Sequence, residues 1–117
     1  MKGIHNADAS FSEAVDVLAT LPKDLKDRLV SAALLILNDM TADDLPNGNL
    51  RSEYDSLEAV LTRLPPQPPT DGTVAATVRA MTNTDAQEIA RRIVALSREI
   101  SEETWRRNLK TASAGRT

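Results

Sequence analysis

Val30-Ser31-Ala32-Ala33-Leu34-Leu35-Ile36-Leu37 contains the longest uninterrupted apolar run of the chain, Ala32 to Leu37. Leu25 and Leu29 lead into it at helical spacing, and no run of alternating polarity flanks it, so the stretch reads as a helix ending near Met40. A helix apolar nearly all round belongs among neighbours or against a second subunit. It therefore predicts a core helix with others packed about it.

Working outward, the flanking segments supply those neighbours. Ser10-Phe11-Ser12-Glu13 has the S-x-x-E form of a capping box, so a first helix is expected from residue 10, with Phe11, Ala14, Val15 and Leu18 on its apolar face. Leu21 precedes Pro22, which drives it out of the α region, and Pro22 suits the first position of the second helix. Pro46 and Asn47-Gly48 reverse the chain. A third helix follows over Leu50 to Leu64, with Leu50, Tyr54, Leu57, Leu61 and Leu64 on one face.

Arg63-Leu64-Pro65-Pro66-Gln67-Pro68-Pro69 then stops helical structure, and a stiff connector is expected over residues 65–72. Val74, Val78 and Met81 mark a short fourth helix. Thr84-x-x-Gln87 offers a second capping box, ahead of Ile89, Ile93, Leu96 and Ile100 at spacings of 4, 3 and 4. Helical pattern continues to about residue 110. The last helix is expected either to run unbroken through Trp105 to Leu109 or to yield at Ser101 to a short helix that folds Trp105 back onto the core. Residues 1–9 read as a flexible leader and residues 111–117 as a frayed tail. The fold class is all-α: one domain of 117 residues, an antiparallel bundle of four or five helices.

Composition narrows the chemistry. With no cysteine, the chain has neither a disulfide framework nor a thiolate metal site nor a cysteine nucleophile. The single histidine, His5, falls in the expected leader, and the acidic pairs Asp43-Asp44 and Glu102-Glu103 sit where caps and solvated turns are ordinary. No enzyme, metal or cofactor is expected. No apolar run approaches the roughly 20 residues that span a bilayer, and a cytoplasmic protein is the expectation.

Three motifs resemble known devices. Arg63, Pro66 and Pro69 match R-x-x-P-x-x-P, which resembles a class I SH3 ligand; the stretch is read as an exposed spacer instead, because Arg63 and Leu64 are expected in the last turn of the third helix. Asp43 to Leu50 is similar to an EF-hand loop, with Gly48 at its sixth position, but Leu45 and Tyr54 stand where side-chain ligands are required, so it is read as an Asn-Gly turn. Gln87 to Glu99 resembles part of a helix-turn-helix, with Ala90 and Ile93 at packing positions, although Val94 stands at the turn position that usually takes glycine.

Charge is unevenly distributed. Residues 1–71 carry 6 Lys/Arg against 12 Asp/Glu, whereas residues 72–117 carry 8 against 5. The two parts attract each other, and the basic end also suits an external anionic partner. The principal expectation is a non-enzymatic protein-interaction or regulatory module, self-association included, whose contacts are Trp105, Leu109, Arg106 and Arg107. The alternative is a DNA-binding regulator in which Arg91, Arg92 and Arg98 meet phosphates.

Overall fold

The computed structural model describes residues 3–66 and 72–115. Every regular element among them is helical: α1 (Ile4–Thr20), α2 (Leu25–Asp39), a 3-10 turn (Ala42–Asp44), α3 (Asn49–Leu61), α4 (Thr73–Ala80) and α5 (Asn83–Gly115). The chain is thus all-α, a helical bundle whose helices share one apolar core. No helix is long and apolar enough to cross a membrane, among the described residues.

Residues 4–9, expected as a leader, form the first turns of α1, and Ser10 is a buried mid-helix residue rather than a cap. The reason is tertiary. Gly3, at φ 136°, turns its N–H to Asp44 Oδ1 at 2.8 Å, while Asn6 Nδ2 donates to Asp44 Oδ2 at 3.0 Å and to the Asp39 carbonyl at 2.8 Å. Asp44 Oδ2 also accepts from the Thr41 N–H at 3.1 Å, closing a capping box around the 3-10 turn. One buried carboxylate thereby satisfies donors from two parts of the chain, including an otherwise free amide at the start of α1. Ala7 joins Phe11 and Ala14 in the core, extending the apolar stripe by a turn.

The break at Leu21-Pro22 is present, but α2 begins at Leu25, with Asp24 as its N-cap residue and Pro22 left in the connection. Leu29, Ala32, Ala33 and Ile36 form its inner face; the two alanines let α1 approach closely. Leu34 points outward, 41% exposed, so the apolar octapeptide is not enclosed on every side. Gly48 takes φ 119° in the Asn47-Gly48 turn, a conformation glycine adopts without strain, and α3 starts behind it.

α3 places Tyr54, Leu57 and Leu61 in the core and ends three residues earlier than the leucine spacing suggested. Pro65 bars Leu64 from the α region. The Leu64 N–H instead donates to Thr77 Oγ1 at 3.0 Å, tying the end of α3 to α4, and Arg63 lies outside the helix, exposed. The remainder of the proline motif, Gln67 to Pro69, lies outside the described residues.

Tyr54 meets Phe11 edge to face, with centroids 6.5 Å apart. Its hydroxyl donates to the Met40 carbonyl at 3.4 Å, and burial, followed by the charges of Glu58, Asp44 and Asp55, pushes its pKa up to about 12.

α4 buries Val74, Thr77 and Val78, with Met81 beyond its end, and Lys26 Nζ reaches across from α2 to the Met81 and Arg79 carbonyls. A cation on the last carbonyls of a helix satisfies free acceptors and opposes the helix dipole. The cap of α5 is Thr82, whose Oγ1 accepts from the Asp85 N–H at 3.0 Å; Thr84, the expected cap, is already helical.

Two stability predictions follow from these contacts. Asp44→Ala leaves three half-buried donors without their acceptor and should cost about 2 kcal/mol in urea unfolding, against less than about 0.5 kcal/mol for the exposed neighbour Asp43→Ala. Thr82→Ala should cost about 1 kcal/mol and Thr84→Ala only a few tenths. Equal losses within either pair would contradict the assigned caps.

Candidate interaction surface

α5 carries the remaining chemistry. From Asn83 to Ala114 it contains neither glycine nor proline, and Ala86, Ile89, Ile93, Leu96 and Ile100 hold it to the core. The turn required by the helix-turn-helix resemblance is absent: Gln87 to Glu99 lie within one continuous helix. Val94, β-branched, keeps helical geometry, and no non-glycine residue among those described takes positive φ. No separate helix begins at Ser101 either. α5 continues to Gly115, through most of the expected tail.

α1 lies antiparallel against α5. Asp8 Oδ1 accepts from Ser101 Oγ at 2.6 Å near one end, and Leu18 faces Val94 toward the other. Thr104 is buried, its hydroxyl turned back to the Ile100 carbonyl at 2.8 Å. From Trp105 to Lys110 the side chains meet solvent. Trp105 is 65% exposed and Leu109 52% exposed, one turn apart on the same face. Trp105 is therefore not a core cap.

Arg106 and Arg107 converge on Glu103, through Oε1 at 2.5 Å and Oε2 at 2.8 Å respectively. The Arg107 hydrogen bond is the largest influence that holds the Glu103 carboxyl below its usual range. The acidic residue precedes the basic ones by one turn, the order that supports a helix locally where tertiary contacts have ended.

The three arginines of the nucleic-acid alternative do not converge. Arg91 pairs with Glu88 at 3.0 Å. Arg92 turns to the α3 side, where it donates to Ser56 Oγ at 3.1 Å and borders a cleft of about 270 Å³ with Glu53, Leu57, Ala95, Leu96 and Glu99. Arg91 and Arg98, about two turns apart on another face, border an open apolar groove of about 380 Å³ floored by Leu18, Leu25, Ala90, Val94 and Ala95.

That groove was not legible in the sequence, because Leu18 and Leu25 approach α5 only after the chain turns at Pro22. Nor was the role of Asp44, which the sequence does not distinguish from Asp43. Asp43 is exposed and Asp44 is engaged by Gly3, Asn6 and Thr41; no three potential metal ligands come together among the described residues. His5 is exposed on the first turn of α1, not in a leader.

No known protein family, curated protein or solved structure matches the chain.

The α3–α5 cleft yields a pH prediction. A hydrogen bond with Glu53, then desolvation and the Glu53 charge, raises the Glu99 carboxyl above its usual value. The folded chain therefore holds this proton more tightly than the unfolded chain. The stabilisation is complete in acid and is lost as pH rises through the raised pKa, leaving two carboxylates facing each other. Glu99→Gln should raise the melting temperature at pH 7 but not at pH 4; an equal shift at both would contradict the pairing.

Proposed function

We propose that this chain is a protein-docking module that presents the end of α5 as an arm. Trp105 and Leu109 supply the apolar contact, and Arg106 and Arg107 form its charged rim. The observation that carries the proposal is the 65% exposure of Trp105 on a helix whose residues from Trp105 to Lys110 are all exposed. A tryptophan flanked by arginines gains most from being covered, since such side chains dominate measured binding energies. Glu103 holds both guanidinium groups on the turn that carries the indole, which lowers the entropy lost on docking.

Nucleic-acid binding through the same end of the chain is supported by the excess of basic residues after position 71. It predicts binding that collapses with added salt, whereas an apolar contact at Trp105 predicts binding that survives it.

Trp105→Ala removes an exposed side chain, so it should leave unfolding free energy within about 0.5 kcal/mol of the parent. The immobilised variant should fail to retain, at high salt, proteins that the parent chain retains from the same extract. Unfolding of Trp105→Ala, or retention of an unchanged set of proteins, would contradict the proposal.

A further inference from the structure

We infer that the arm docks on a second copy of this chain, the two α5 helices running antiparallel so that Leu109 of each enters the Leu18, Leu25 and Val94 groove of the other. The inference rests on the docking proposal above and names its partner.

Position comes first. Val94, Arg98, Trp105 and Leu109 follow one another at spacings of 4, 7 and 4, so they keep to one side of α5. A two-fold axis crossing the helix between Ser101 and Glu102 brings Leu109 level with Val94 of the other copy and, in the same register, Trp105 level with its Arg98. A single rotation thus pairs both exposed apolar side chains with positions on or beside the groove, and does so twice.

Chemical complementarity comes second. The groove is apolar and open, and the arm ends in an uncovered leucine. Arg98 makes no hydrogen bond or ion pair among the described residues, and a guanidinium over an indole face is a favourable cation–π contact.

Charge comes third. After Glu103 the chain carries Arg106, Arg107, Lys110 and Arg116 and no acidic residue. α1, which borders the groove, has no Lys or Arg from Ile4 to Thr20 and exposes Glu13 and Asp16. An arm lying in the groove would run beside that acidic helix. The groove's own rim, Arg91 and Arg98, is basic, so the attraction between copies comes from α1 alone, with Arg106, Arg107 and Lys110 turned off the Trp105 and Leu109 face of the arm.

The chain has no cysteine, which makes the test direct. Val94→Cys and Leu109→Cys are prepared as separate full-length chains and oxidised singly and mixed. The mixture should form a disulfide-linked dimer. Either variant alone should not, because in the proposed pair like positions lie roughly 22 Å apart along the helix, far beyond disulfide reach. In parallel, sedimentation of the parent chain up to roughly 0.5 mM should show a dimer, mostly formed if Kd is near 10 μM, and Leu109→Asp, which changes an exposed residue, should abolish it.

A parent chain that sediments as a monomer throughout, or a dimer that persists in Leu109→Asp with no 94-to-109 link, would overturn the inference. The retention experiment with Trp105→Ala then separates the two claims. Loss of retained proteins beside a monomeric parent leaves the docking proposal standing with a different partner, whereas unchanged retention ends both.

Discussion

The structure depends on a mismatch of lengths. α5, with 33 residues, is about 50 Å long at 1.5 Å per residue, whereas its antiparallel neighbour α1, with 17, covers about half of that. α3 is shorter still and packs toward its first half, and α4 packs on α2 and α3. A helix gains its stability in a protein chiefly from the face it buries, and α5 is exposed from Trp105 to Lys110. The molecule is accordingly elongated, 58 Å by 26 Å by 22 Å, with the arm at one end. Its helical form there draws on the pairing of Glu103 with Arg106 and Arg107 at the i,i+3 and i,i+4 spacings that support a helix locally.

The edge from which the arm departs is set by Asp44. Because α1 is antiparallel to α5 and Asp8 is bonded to Ser101, the first residues of α1 lie beside the turn of α5 that ends at Thr104. By holding Gly3 and Asn6, Asp44 fixes where α1 begins and hence how far cover for α5 extends. The same carboxylate closes the 3-10 turn that leads from α2 toward α3. A local polar lock thus determines which part of a distant helix is left to solvent.

Much of this was written in the periodicity. Ile89, Ile93, Leu96 and Ile100, like Tyr54, Leu57 and Leu61, define faces that the structure buries, and Leu21-Pro22 and Asn47-Gly48 break the chain where their backbone preferences require. Helix ends were less legible, because caps compete. Ser10 and Thr84 satisfy the capping pattern, but Asp44, distant in sequence, and Thr82, two residues earlier, provide the acceptors used. Leu64 kept the apolar spacing of α3, yet the proline after it prevailed. The sequence also left α5 open between one helix and two, since solvation of Trp105 depends on where α1 begins. Trp105 and Leu109 share one face of the arm and Arg106 and Arg107 turn to Glu103, whereas Arg91, Arg92 and Arg98 divide between two faces of α5.

The central claim is that α5 outruns its bundle and leaves Trp105 in water. Trp105 is the sole tryptophan, so its fluorescence reports on that point without labelling. The decisive measurement is its emission maximum and acrylamide quenching at high dilution, where chains are separate. The account predicts a red-shifted emission quenched nearly as readily as a free tryptophan derivative. A blue-shifted emission shielded from acrylamide in the dilute monomer would show that the bundle itself covers Trp105, and the arm would not exist.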